Sequence, residues 1–114
     1  MEAIIVKNSK LVKVLRYFRP SLGGITLFPF IFLKDEGDDR LINHESIHID
    51  QYRELFVVGF LFLYLWDFIH GYKKYKNYDD AHRSIRFERE AYSFEADPHY
   101  LEYREKYAWK QFKV

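Results

Sequence analysis

Two histidines four residues apart, with a glutamate directly after the first, form the stretch of this chain best suited to chemistry: His44-Glu45-Ser46-Ile47-His48. On a helix, positions i and i+4 lie one turn apart on the same face. Two imidazoles so placed can share one tetrahedral metal ion at about 2.0–2.1 Å each. Glu45, about 100° further round the axis, is poorly aimed for the same ligand set but can flank a metal-bound water. There it serves as a general base and later returns the proton to the leaving group. With five histidines and nine glutamates in 114 residues, about 0.02 accidental matches to this spacing are expected. Cysteine is absent, which excludes thiolate ligands, disulfides and cysteine nucleophiles and leaves His, Asp and Glu as donors.

The faces of the helix favour a site over a solvated pair of histidines. Leu41, His44, His48, Gln51, Tyr52 and Leu55 share one side, and Ser46, Asp50 and Arg53 the other. Imidazoles on an apolar stripe are costly to bury without a partner. The same helix offers no third ligand: Gln51 gives no chain break, so Glu54 should stay helical and point away. A later helix carries Glu88, Glu90 and Glu95. At 100° per residue, Glu88 falls in the middle of that helix's apolar arc, between Ile85, Ala91 and Tyr92. Glu90 falls with Arg83, Arg86 and Ser93 on the polar side and is expected to be exposed. Glu95 faces inward two turns on, where a salt bridge or a helix-end role accounts for it. Zn2+ held by His44, His48 and Glu88 is the expected cofactor, with Glu45 catalytic. His70, His82 and His99 are expected at the surface.

Hydropathy outlines the elements that must position these groups. Ala3–Val6 is a short β-rich run, and Ser9 can cap a helix from Leu11 to Phe18 that ends before Pro20. Ile25–Leu33 reads as one strand, placed at a sheet edge by Pro29. A helical period starts near Leu41 and holds to about Ile69, with Gly71 as its terminator. A third helix covers Asp79 or Asp80 to Ala96. Asp97-Pro98 then opens a last one, from His99 to about Lys110. The fold class expected is α+β, mainly helical, in a single domain over residues 1–114. Seventeen acidic and eighteen basic residues give a net charge of +1, so nucleic acid is not an expected partner. The start of the chain shows no signal peptide, and the expected compartment is the cytoplasm. The apolar run Leu55–Trp66 is shorter than the roughly 20 residues of a spanning helix. It is expected to be a core helix, with a helix lying on a membrane surface as the alternative.

His44-Glu45-x-x-His48 followed by Phe87-Glu88-Arg89-Glu90-Ala91-Tyr92 resembles the gluzincin arrangement of metallopeptidases. More closely, the chain resembles a family of small, uncharacterised HExxH proteins of bacterial and phage type. These share a strand like Phe28-Pro29-Phe30-Ile31-Phe32, then Asn43-His44-Glu45-x-Ile47-His48-x-x-Gln51, then the Phe87–Tyr92 segment. The resemblance spans about residues 24–109. It implies a minimal zincin-like core, with a small sheet packed on the HExxH helix and Glu88 as third ligand from a second helix. It also implies an edge strand beside the active helix that pairs with an extended peptide or protein substrate. Tyr92 stands where gluzincins carry an Asp that orients a ligand histidine. Its hydroxyl could take that role or stabilise an oxyanion, and plain packing is the other reading. Gln51 either fixes a histidine or Glu88 from behind or makes an ordinary buried contact. The function expected is a zinc-dependent, metallopeptidase-like hydrolase. The alternative is a non-catalytic zinc-binding structural or interaction protein, on a membrane in one version.

Overall fold

The structure, a computed structural model, describes residues 3–112. It is a mainly helical α+β fold with one three-stranded mixed sheet. The elements are β1 Ile4–Val6, α1 Lys10–Phe18, β2 Gly24–Leu27, β3 Phe30–Leu33, α2 Asp39–Glu54 and α3 Val58–Tyr75. They continue as α4 Tyr78–Ser84, α5 Arg86–Phe94, α6 Tyr100–Tyr103 and a 3-10 turn at Ala108–Gln111. Ser9 caps α1 as expected, its hydroxyl accepting from the Val12 amide at 3.4 Å.

Ile25–Leu33 is a hairpin and not one strand. Its turn contains Phe28 and Pro29, joined by a cis peptide bond, where proline's missing N–H interrupts no ladder. β3 therefore becomes the central strand, parallel to β1 and antiparallel to β2, in the order β1-β3-β2. β2 is an edge. The sheet packs on α2 through Ile31, Leu33 and Ile49.

The long helix expected from Leu41 to Ile69 is two helices at 114° to each other. Asp38 starts α2 early, its carboxylate accepting from the Leu41 amide at 2.7 Å. The break falls at Phe56 and Val57, both at positive φ (55° and 65°), a conformation unfavourable for a β-branched residue. Tertiary packing overrides the local period. The bend returns Phe60 onto Tyr52 and Phe87, at ring-centroid distances of 3.9 and 4.6 Å. Gly71 is not a terminator either. It lies inside α3 where the helix crosses α4, and a Cβ there would meet the Ser84 hydroxyl and stand 3.2 Å from Ala81 Cα. The helix ends at Tyr75, with Lys76 left-handed.

The third helix expected also divides, at Ile85, whose ψ of 130° is extended. Asp67, fully buried in α3, holds the new end. It accepts from the Arg86 amide at 3.2 Å and from the Arg86 guanidinium at 2.7 and 2.8 Å. The last helix is reduced to α6 and the 3-10 turn, because Arg104 turns inward to Glu54 and Glu90. Tyr107, at φ 60°, donates its amide to Glu54 at 2.6 Å. Among the described residues no single helix is long and apolar enough to cross a membrane.

Candidate metal centre

α2 and α5 pack against each other and bring three of the anticipated residues together. His44 Nε2 stands 2.9 Å from Glu88 Oε1, and His48 Nε2 stands 3.0 Å from the same oxygen. One donor atom from each residue lies within 4.8 Å of the others, and all three side chains are buried. On a tetrahedral zinc, donors at about 2.0–2.1 Å stand about 3.3 Å apart, so the two histidine-to-Glu88 distances need to open by only a few tenths of an ångström. The donor set, two imidazoles and one carboxylate, suits zinc.

The second oxygen of Glu88 is held away from the cluster. The Tyr64 hydroxyl donates to Oε2 at 2.6 Å, and His82 Nε2 lies 3.1 Å from it. His82 is thus part of the centre and not a surface residue, because the break at Ile85 rotates α4 relative to α5. Its Nδ1 is buried without a partner among the described residues. His70 and His99 are exposed, as expected. Without a cation, burial would raise the Glu88 carboxyl. The charge of His48 and hydrogen bonds from His44, His48 and His82 outweigh it and hold the group well below the usual range. Burial lowers His48, but the charge of Glu88 and its hydrogen bond carry it up to about 9.

His48 is oriented by a hydrogen bond at its other nitrogen, whereas His44 has an acid near its own. His48 Nδ1 donates to Gln51 Oε1 at 2.7 Å, which leaves Nε2 as the free donor for a metal. Gln51 in turn donates to the Phe87 carbonyl at 3.0 Å and to Glu90 at 2.9 Å. His44 Nδ1 faces Glu95 at 3.7 Å, and Glu95 also meets Arg40 at 3.1 Å. Tyr92 meets His44 edge-on through its ring, 4.6 Å between centroids, with the Arg83 guanidinium 4.3 Å from its own ring centre. The side chain behind His44 is therefore Glu95, with Tyr92 in packing contact.

Glu45 is buried on the neighbouring face of α2. Its Oε2 accepts from the Thr26 hydroxyl at 2.6 Å, which ties the general-base candidate to edge strand β2. Tyr52 closes the link by donating to the Thr26 carbonyl at 2.8 Å. Two cavities meet here, and Glu45 lines both. The one on the His48 side is about 390 Å³, mostly apolar, and lined by β2, Tyr64, His48 and Glu88. The one on the His44 side is about 790 Å³, more polar, and lined by Arg19, Arg40, Tyr92 and Glu95.

Glu90 does not face solvent. It is fully buried, paired with Arg104 at 2.5 Å and accepting from Tyr100 at 2.6 Å. The helical count did place it opposite Glu88; the chain after Pro98 folds over that opposite face. Glu54 points away from the histidines as expected and binds Arg104 and Trp109. Thr26, Tyr64 and His82 carried no signal in the sequence, since each depends on a hairpin or helix break that periodicity does not reveal. No family model matches the chain, and neither a curated protein nor a solved structure is significantly similar to it.

Proposed function

We propose that the protein is a zinc-dependent hydrolase acting on peptide bonds, with His44, His48 and Glu88 as metal ligands and Glu45 as general base. The observation that carries this reading is the convergence of His44 Nε2, His48 Nε2 and Glu88 Oε1 beside a carboxylate that lines both adjoining cavities. The gluzincin-like spacing of the motifs supports it. Zinc supplies Lewis acidity, lowering the pKa of water to about 7 and polarising a carbonyl. Glu45 takes the proton of the attacking water and delivers it to the leaving amine. Thr26 holds one oxygen of Glu45, which fixes the carboxylate and leaves the other for the proton. An extended peptide fits along β2, whose Gly24–Leu27 backbone lines the apolar cavity. The Thr26 carbonyl is already taken by Tyr52, so pairing there is partial.

The test combines metal analysis with a peptide-library digest. The purified chain, reconstituted with zinc, should hold about one ion and cleave peptides, and a chelator should stop the cleavage. Glu45→Gln should keep the ion and the fold and lose hydrolysis, since an amide cannot accept the proton. Failure to hold zinc after reconstitution would overturn the ligand set. Zinc retained by a wild-type chain that cleaves nothing would assign the alternative, a zinc-binding interaction protein. Full activity in Glu45→Gln would mean that another group is the base.

A further inference from the structure

The exposed side of α3 is apolar for most of its length. Val58, Leu61, Phe62, Leu65 and Ile69 are all exposed. At 100° per residue they fall within about 100° of the helix circumference, opposite the buried Phe60, Asp67 and Gly71. Phe56, at the tip of the bend before α3, is 88% exposed and Phe62 is 67%. Contiguous exposed apolar surface of this kind marks a contact site.

The charges say what covers it. Between Leu55 and Tyr78 the one acidic residue is Asp67, which is buried and bridged to Arg86. The cations Lys73, Lys74 and Lys76 all lie at the C-terminal end and are exposed. Lys73 continues the apolar stripe, Lys76 follows at the left-handed end of the helix, and Trp66 and Tyr72 flank the stripe, half exposed. The next acid along the chain, Asp79, is bridged to Arg19. An apolar stripe that ends in lysines and carries amphipathic rings matches the layered chemistry of a bilayer surface: acyl chains, interface, anionic phosphates. Paired face to face with the α3 of a second copy, the stripe would meet no exposed carboxylate on that helix, whose one acid is the buried Asp67. Leu61 belongs both to the stripe and to the wall of the apolar cavity beside His48, whose rim also carries the exposed Phe18 and Leu27.

We propose that α3 is a peripheral docking surface for an anionic lipid bilayer. Phe56 and Phe62 enter the acyl boundary, Lys73 and Lys76 sit at the phosphates, and the apolar cavity opens toward the membrane. Docking needs neither zinc nor hydrolysis, so it stands or falls apart from the proposed function.

The experiment is flotation of the purified full chain with vesicles of phosphatidylcholine alone or of phosphatidylcholine and phosphatidylglycerol at three to one. The wild type should float with the anionic vesicles, and less so at high salt. The double variant Phe62→Asp with Leu65→Asp should bind at least about tenfold more weakly to the anionic vesicles. Lys73→Glu with Lys76→Glu should lose the preference for anionic over neutral vesicles. Circular dichroism of each variant should match the wild type, as expected for exposed positions. A wild type that stays with neither vesicle overturns the proposal, as does equal flotation of the apolar variant. A dimer in sedimentation that Phe62→Asp with Leu65→Asp dissociates would assign the face to a second copy and also overturn it.

Discussion

Glu88 and Glu90 stand two residues apart on α5, and both are nearly closed to water. They meet opposite company. Glu90 faces the Arg104 guanidinium at 2.5 and 3.0 Å, and Tyr100 and Gln51 donate to it as well. Burial works against the charge of Arg104, but the hydrogen bonds and charges of Glu90 and Glu54 outweigh it and hold the guanidinium above even its usual range, permanently protonated. Glu88 faces His44, His48 and His82, each of which can give up its proton, together with one phenol. A buried carboxylate matched to a fixed cation is complete and serves the fold. One surrounded by removable protons and bordered by cavities can exchange those protons for a metal ion. One helix thus carries a structural pair on one face and a candidate ligand on the other.

The largest expected effect breaks the structural side. Arg104→Met leaves Glu54 and Glu90 buried without their cation and should cost about 3–5 kcal/mol, read as a lower urea midpoint of the metal-free protein. Zinc stoichiometry should stay at one per chain in whatever fraction remains folded. Loss of zinc binding by a folded Arg104→Met protein would mean that the two faces are one unit. Next comes the ligand side. Glu88→Gln replaces an anionic ligand by an amide and should weaken zinc about a hundredfold or more, close to 3 kcal/mol. The measurement is a titration against a competing chelator. Equal affinity for variant and wild type would remove Glu88 from the ligand set.

This contrast was half legible in the sequence. Periodicity correctly set His44, His48 and Glu88 on inward faces and put Glu90 about 200° from Glu88. It then equated the second face with solvent, because a helix with two buried faces carries no separate signature of its own. The cover over Glu90 comes from Arg104 and Tyr100, in a segment that reads as a plain helix. The mainly helical α+β class and the Ser9 cap follow from local chemistry and are found as expected. The bends at Phe56–Val57 and Ile85 do not, since the helical period of the sequence continues through all three residues. Those bends bring Tyr64 and His82 to Glu88, so the half of the site that depends on them was out of reach.

Gln51 is the physical link between the two regions, accepting from His48 and donating to Glu90. Gln51→Leu should lower zinc affinity about tenfold to a hundredfold by freeing the His48 ring. It should also lower stability by about 1–3 kcal/mol, because Glu90 and the Phe87 carbonyl each lose a donor. Paired titration and denaturation of the same preparation would check both. A change in stability with none in zinc affinity would make Gln51 part of the structural side alone.

Tyr64 gives the smallest and finest test. Its hydroxyl donates to Glu88 Oε2 at 2.6 Å, and burial followed by the charge of Glu88 holds the phenol well above its usual range. It therefore remains a donor at neutral pH and keeps one carboxylate oxygen turned from His44 and His48. Tyr64→Phe removes that donor and keeps the ring against Phe60 and Phe87, so stability should move little. His82 still faces Oε2 at 3.1 Å, and the loss is that of one hydrogen bond, about 1 kcal/mol. Zinc affinity should fall about fivefold, far less than for Glu88→Gln. An unchanged or higher affinity would show that Glu88, once released, offers both oxygens to the ion. A fall as large as that of Glu88→Gln would show that Tyr64 itself belongs to the ligand set.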